Sequence, residues 1–567
     1  MKTNGNNKKI LLALLPFWTP QIPPLGISCL KSFLQLHGYE VKTVDVNVEE
    51  QVRILYNKYF DRLREAVSEA KRGNFYNIGH EILQNHMMAH IHYRDEQEYI
   101  RVVKIVIKKT FPIEPEEQLV LQLNNILAEF YQWLYSYFLD LLEREKPSVL
   151  GLSVYKGTLP ASMFAFKLAR EKYPGILNVM GGAVFAQTLG IETENFDYFL
   201  KNTEAYIDKI IVGEGEILFL KLLQGELPPS QRVYSLADIN GETLELASAV
   251  VPDFSDLNRQ FYPNLATYTS RSCPFQCKFC TETVYWGTYR KKTYRQIVEE
   301  LSTLYKEYDF QLFLMCDSLL NPVITGMSKE LADSDLAIYW DGYLRVDPHA
   351  CDADTVMLWR FGGGYRLRLG VESGSQRILD RMDKNISIDK IKTAVANIAN
   401  AGIKATTYWI IGYPGETEED FQQTLDLVEE LRENIYEAEC NPFGFYLSGQ
   451  VNSSQWVNKN NIIPLYPDNA RDMLILQSWA MDCKPSRQET YQRISRFVQH
   501  CSRLGIANPY SLYDISKADE RWRKLHKNAV PPLLEFKNKE IRIDEAKKVK
   551  KIQYARNTNT QQIEFGF

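Results

Sequence analysis

The chain opens with an apolar run, Ile10 to Leu15, follows it with a helical pattern over Leu25 to Leu36 closed by His37-Gly38, and turns apolar again at Val41 to Val46. Gly38, just past the last helical turn, is a helix stop, because a residue without Cβ enters the left-handed region freely. The alternation resumes at Ser148 to Val154, a buried strand, followed by a helix through Phe164 to Arg170 and by Asn178 to Met180, which runs into Gly181-Gly182. A last strand, Lys209 to Val212, ends in Gly213-Glu214-Gly215-Glu216 before a helix at Ile217 to Leu223. Strands separated by helices predict a parallel sheet with a ligand crevice at the strands' carboxyl ends. Between its halves lies an insertion, roughly residues 48–146, whose apolar positions Leu119, Leu123, Ile126, Leu127, Phe130 and Leu134 recur at helical spacing. Helices packed beside the sheet are expected there.

Val251 to Asp256 is polar, carries Pro252 and reads as a linker. A second strand and helix series follows. Leu265 to Thr269, Phe310 to Met315, Ile338 to Val346, Arg366 to Val371, Thr406 to Ile411 and Glu437 to Tyr446 are the strands. Ile297, Val298, Leu301, Leu304 and Tyr305 mark one helical face, and Ser387 and the Thr417/Asp420 pair cap later helices. Six such units are too few for a closed eight-fold barrel, so an open, partial (βα)6 barrel is predicted, with its active site at the strands' carboxyl ends. Beyond residue 450 the pattern turns helical, and the Lys547-Lys548 and Lys550-Lys551 pairs of the tail read as a solvated face.

With 567 residues and a net charge of −5, the chain can bury several cores and has no general attraction for nucleic acid or anionic membrane. The run at Lys8 to Leu15 imitates a signal peptide but is short and meets Pro16 and Pro20 without a small-residue cleavage site. No stretch approaches the roughly 20 apolar residues of a membrane span, so a soluble, cytoplasmic protein is expected. Nine cysteines without framework spacing fit a reducing compartment.

Three of those cysteines, Cys273, Cys277 and Cys280, stand at C-x3-C-x2-C spacing just after the Leu265 to Thr269 strand. Three thiolates on one short loop can hold three irons of a cubane cluster and leave the fourth open. An open iron can chelate the amino and carboxylate groups of S-adenosylmethionine (SAM), and the aromatic Phe279 before the last cysteine helps shield the cluster. The competing reading is a structural zinc site, which needs a fourth ligand that no neighbouring pair supplies. His86 and His90, at i, i+4 in the insertion among His80, His86, His90 and His92, read as an ordinary surface cluster for want of an acidic partner. The strand ends converge chemically: the cysteine loop, Cys316-Asp317, Arg345-Val346-Asp347, Gly370 to Ser375, and Gly412 to Glu416. Glu372 is the right type for the amino group or ribose of SAM and Arg345 for its carboxylate, and Ile410, Ile411 and Tyr413 are candidates for an adenine wall.

The cysteine loop resembles the signature of the radical SAM superfamily. Gly370 to Ser375, Met382-Asp383-Lys384, Ala401-Gly402-Ile403, Gly412 to Thr417, Pro23-Pro24-Leu25-Gly26, Gly181-Gly182 and Gly213 to Glu216 further resemble radical SAM cores joined to an N-terminal cobalamin-binding domain. The resemblance implies a Rossmann or flavodoxin-like cobalamin-binding domain over 1–240, a linker over 241–261, a radical SAM core over 262–450 and a substrate-capping region over 451–567. It also implies a [4Fe-4S] cluster on Cys273, Cys277 and Cys280, and SAM near Phe279, Asp317, Arg345, Glu372, Ser373, Ile411 and Tyr413. Cobalamin is then expected near Ser153, Thr158, Gly181, Gly182, Gly213 and Glu214. The loop after the first strand, Pro16 to Pro23, lacks the histidine that better-known cobalamin modules give to cobalt. The implied activity is methyl transfer to an unactivated carbon of a natural-product or peptide substrate through a 5'-deoxyadenosyl radical and methylcobalamin, with flavodoxin or ferredoxin as reductant. Ring contraction, cyclisation, rearrangement, or a non-catalytic sensing role are the alternatives on the same scaffold.

Overall fold

The computed structural model describes residues 8–537 except 187, 509 and 510; the lysine pairs of the tail lie outside the described residues. Two six-stranded parallel sheets organise the chain. The first consists of β1 (Lys9–Leu14), β2 (Glu40–Asp45), β3 (Val149–Ser153), β4 (Leu177–Gly181), β5 (Lys209–Val212) and β6 (Val233–Ser235), in the order β2-β1-β3-β4-β5-β6. Because side chains alternate along a strand, Ile10, Leu12 and Leu14 join one core with helix α1 (Leu25–Leu36), while Leu11, Ala13 and Leu15 join another on the opposite face. The strand order reverses between β1 and β3, which opens a crevice at their carboxyl ends. β6 has no counterpart in the sequence reading. It is only three residues long, and pairing with β5 rather than its own pattern makes it a strand.

The insertion forms helices α2 (Glu50–Ala66), α3 (Phe75–His92), α4 (Glu96–Thr110) and α5 (Glu117–Glu145). Leu119, Leu123, Leu127, Phe130 and Leu134 are buried as expected, in the same core as Leu11 and Ala13. The histidines correct the surface expectation. His86 is fully buried between the hydroxyls of Tyr59 and Tyr99, at 2.9 and 2.6 Å, and His90 meets Asn124 Oδ1 at 2.7 Å. Neighbouring helices enclose α3 on several sides, so its polar positions are interior too. Burial lowers His86 to about 3, so the ring is held neutral.

The second sheet contains β7 (Leu265–Thr267), β8 (Leu312–Met315), β9 (Tyr339–Leu344), β10 (Gly364–Glu372), β11 (Lys404–Ile411) and β12 (Glu437–Pro442), neighbours in chain order. This is a partial barrel of six units with β7 and β12 at its edges. The caps form as expected: Ser387 accepts from Lys390 N, and Thr417 and Asp420 make a reciprocal capping box. Outward residues such as Phe313, Trp340, Leu369 and Trp409 pack against the helices. Inward ones are polar, with Asp341 accepting from both Arg366 and Arg368 at 2.8 Å.

Two of the expected segments pack against their neighbours. The 241–261 stretch is no free linker: Phe254 is fully buried, and Asp256 accepts from Thr43 N at 2.9 Å and Lys42 Nζ at 2.7 Å. The C-terminal region does not act throughout as a cap. Helix α6 (Arg487–Arg503) packs Ile494, Phe497 and Cys501 into the barrel core, and Val530 and Phe536 cover the amino ends of the strands beside Tyr339 and Tyr365. Residues 451–486 and the first turns of α6 reach the mouth. No helix among the described residues is long and apolar enough to cross a membrane.

Candidate active site

Beyond β7 the backbone enters the left-handed region at Ser272 (φ 70°), and Cys273, Cys277 and Cys280 follow on one loop. Asp317, just past β8, fixes the entry: it accepts from Thr269 N at 3.0 Å, Thr269 Oγ1 at 2.7 Å and Ser270 Oγ at 2.5 Å. Its carboxylate is buried in this role, so Asp317, expected near a cofactor, also positions the loop. The loop is also gripped from two sides, because Lys278 N donates to Met382 O at 3.0 Å, while Val451 N and Asn452 N donate to Cys280 O and Lys278 O at 3.1 Å. Gln450 Nε2 adds a bond to Phe279 O at 2.9 Å.

All three thiols are free, and burial pushes Cys280 up to about 12. Holding it as a thiolate therefore calls for nearby positive charge. Arg345 faces the neighbouring thiol, with Nη1 at 3.2 Å from Cys277 Sγ and its guanidinium 4.1 Å from the Phe275 ring centroid. Among the described residues no group of three or more His, Cys, Asp or Glu side chains is arranged to hold a metal ion. Thiols spread along one loop suit a cubane cluster, where each takes a different iron.

Glu372 lies at the end of β10 with φ 67°, at a slip of the β10–β11 register, and accepts from Lys384 Nζ at 2.6 Å. Gly370 makes room for this pair, since a Cβ there would stand 2.5 Å from Glu372 Oε1 and 2.9 Å from Lys384 Nζ. Lys384 also sits 5.7 Å from the Phe279 ring centroid, which brings the pair to the cysteine loop. Tyr413 packs with Phe279, Phe443 and Trp456 in an apolar cluster at the mouth. Ile410 belongs to that cluster, whereas Ile411 is fully buried between strand and helices. Adjacent residues on a strand face opposite ways, so Ile411, expected at the adenine, points away from the cluster that holds Ile410. Ser373 is likewise buried against a helix, accepting from Ser375 N at 3.1 Å near Thr424. Glu416, which accepts from Gly412 N at 3.0 Å and Arg493 at 2.8 Å, braces the turn after β11; burial pushes its carboxyl up to about 7.

A cavity of about 780 Å³ lies between the carboxyl ends of the first sheet and the barrel mouth. Ser153, Gly181, Gly182, Gly213 and Glu214 line it from the sheet, and Cys316, Asp317 and Tyr343 from the barrel. Gly182 (φ 115°) is obligatory, because a Cβ would fall 2.4 Å from Val154 O. Thr158, expected with these residues, is fully buried away from the cavity, and its Oγ1 accepts from Tyr155 N at 2.9 Å. Glu214 reaches the cavity, but its carboxylate is held by Arg271 and Arg290, and Arg271 also pairs with Glu216. These arginines stand on the two short strands, Ser270–Arg271 and Arg290–Lys291, that flank the cysteine loop.

The sequence reading did not single out Arg271, Arg290 or the stacked pair Trp18 and Tyr155, whose ring centroids are 4.6 Å apart at the cavity. Lys384 stands in the Met382-Asp383-Lys384 motif, which gives no sign of its pairing with Glu372. No local signal marks Arg271 or Arg290, since their partners come from another part of the chain. Trp18 lies in the very loop that lacks a histidine.

Residues 267–428 match the Radical SAM superfamily. The anaerobic magnesium-protoporphyrin IX monomethyl ester cyclase of Rubrivivax gelatinosus is 26% identical over 314 residues, covering 50% of this chain and 54% of that one. The cobalamin-dependent radical SAM methyltransferase TokK of Streptomyces tokunonensis is 25% identical over 316 residues, covering 49% and 44%. The chain thus spans about half the length of these curated relatives. In fold it is similar to the radical SAM methyltransferase TsrM of Kitasatospora setae, solved with cobalamin and a [4Fe-4S] cluster, with a TM-score of 0.57 at 12% identity over 95% of this chain and 99% of that one. A radical SAM domain implies a [4Fe-4S] cluster and SAM. The chain carries such a domain, and cobalamin-dependent radical SAM methyltransferases are among its relatives.

Proposed function

We propose that the protein is a cobalamin-dependent radical SAM methyltransferase that acts on an unactivated carbon of a small molecule. The observation that carries this reading is the 780 Å³ cavity, shared between the crevice of a doubly wound sheet and the barrel mouth that holds the cysteine loop. A barrel reaction alone needs no second domain opening onto its mouth. The volume falls in the upper part of the small-molecule range, and the walls carry Leu12, Leu14, Trp18, Leu152, Phe219 and Trp286 as apolar surface for a macrocycle. When bound, the cluster supplies the electron that cleaves SAM, and cobalamin carries the methyl group.

The remaining work falls to this chain's residues. Cys273, Cys277 and Cys280 hold the cluster, and Arg345 donates to the Cys277 sulfur and offsets its charge. Glu372, oriented by Lys384, takes the amino group or ribose of SAM, while Ile410 and Tyr413 wall its adenine. Ser153, Gly181, Gly182 and Gly213 pass the cobalamin, and Trp18 lines the same cavity from the loop that lacks a cobalt-binding histidine. A flavodoxin or ferredoxin is the proposed reductant, and the cytoplasm the proposed compartment.

The test is product stoichiometry with anaerobically reconstituted protein: each turnover should give one 5'-deoxyadenosine and one S-adenosylhomocysteine, with a deuterated methyl from SAM appearing at a carbon of the product. The similarity to cyclases favours one competing reading. Formation of 5'-deoxyadenosine without S-adenosylhomocysteine or a new methyl would select cyclisation or rearrangement.

A further inference from the structure

A second cavity, of about 340 Å³, opens beside the mouth. Its walls come from four parts of the chain: Glu81 from the insertion, Lys156 from the first sheet, Phe443 and Phe445 from beyond β12, and Trp479 and Arg487 from the C-terminal region. Phe443 and Phe445 pack in the same apolar cluster as Phe279 of the cysteine loop. Tyr155 lines the large cavity and Lys156 this one, so a single residue step separates the two spaces. The pocket is therefore next to both expected cofactors.

Among the described residues the charged groups lining it are Glu81, Lys156 and Arg487. Glu81 is satisfied internally: it accepts from Lys156 Nζ at 2.6 Å, and from Tyr466 Oη and Asn85 Nδ2 at 3.2 Å. Arg487 remains. Its Nε donates to Lys109 O at 3.0 Å and its guanidinium lies 4.7 Å from the Tyr491 ring centroid. Its Nη1 and Nη2 have no hydrogen bond or ion pair among the described residues. Two cations against one carboxylate leave the pocket one positive charge in excess, and a planar guanidinium with both terminal nitrogens available matches a carboxylate in a two-point contact. Around it, Phe443, Phe445, Trp479 and Tyr491 offer flat apolar surface. SAM fits poorly, because its sulfonium and ammonium outweigh its single carboxylate.

We infer that this cavity is the substrate pocket, and that it takes a small molecule with one carboxylate on a flat apolar body. The inference rests on the function proposed above and adds the substrate class. A volume of 340 Å³ lies at the low end of small-molecule sites, which favours a free mono- or bicyclic acid over a peptide.

The experiment is calorimetric titration of the anaerobically reconstituted full-length protein with phenylacetate and indole-3-acetate, each against its primary amide. At least one acid should bind about tenfold or more tightly than its amide. Arg487→Met should abolish that preference while leaving iron content and SAM affinity unchanged, and Arg487→Lys, which keeps the charge, should retain most of it. Equal affinity for acid and amide, binding by neither acid, or a preference that survives Arg487→Met would overturn the inference. So would a parallel loss of SAM affinity, which would assign the cavity to SAM. Failure of the functional reading is distinguishable, because it would show as absent SAM cleavage with the acid preference intact.

Discussion

Arg271 Nη1 lies 2.7 Å from Glu214 Oε2, so the loop that leaves β5 of the first sheet is joined to the short strand leading into the cysteine loop. Their side chains are 11% and 4% exposed; without Arg271, Glu214 keeps Arg290 but the buried Glu216 loses its ion-pair partner, and stranding a buried charge typically costs about 3–5 kcal/mol. Arg271→Met should therefore loosen the wall of the large cavity. Cobalamin retention after gel filtration should fall while the iron content holds. Undiminished cobalamin binding in a folded variant would show that the clamp does not shape the site.

The cysteine loop predicts about four iron and four sulfide per chain after anaerobic reconstitution. Changing Cys273, Cys277 and Cys280 to Ala together should abolish the cluster absorption and SAM cleavage. A triple variant that kept its full iron would sink the assignment, and one zinc per wild-type chain would replace it with a structural zinc site.

Side-chain direction at the mouth separates residues that stand close together in sequence. Glu372→Gln should weaken SAM binding about ten- to a hundredfold, the loss of a charge-assisted hydrogen bond of roughly 1.5–3 kcal/mol, with iron unchanged. Ile410→Ala should weaken SAM binding, whereas Ile411→Val, in the outer core, should lower stability by about 0.5–1.5 kcal/mol and leave SAM affinity alone. The reverse pattern in a SAM titration would put Ile411 back at the adenine.

His86 makes stability pH-dependent. An unfolded histidine protonates near 6.5, but burial between Tyr59 and Tyr99 holds folded His86 down at about 3. Between those values the unfolded chain binds the extra proton, so the contribution is complete above about 6.5 and is lost as pH falls. The slope is about 1.4 kcal/mol per pH unit. Urea unfolding at pH 7.5 and 5.5 should show a loss about 1.4 kcal/mol larger in the wild type than in His86→Gln. Equal losses would mean that His86 is not held neutral.

Several elements were legible because their causes are local. The strand and helix series of both sheets follows from short-range periodicity, the Ser387 and Thr417/Asp420 caps from residues three apart, and the cysteine loop from C-x3-C-x2-C spacing. β6 escaped because three residues carry no period. At Ile410-Ile411 two adjacent apolar residues erase the alternation that would tell inside from outside, and a slip in the β10–β11 register adds to the ambiguity. His86 looked like a surface residue because the helices that enclose it come from other parts of the insertion.

By itself, then, the sequence determined the order of elements, the two parallel sheets and the thiol-bearing loop, since each depends on neighbours a few residues away. Only the tertiary structure decided which charges meet. Glu214 and Arg271 are 57 residues apart, Glu81 and Lys156 75 apart, and Arg345 and Cys277 68 apart. Nothing in local pattern couples such pairs. Their contacts arise when each sheet buries its apolar faces and the two carboxyl-end surfaces are brought together, and that docking creates both cavities and sets the charge inside them.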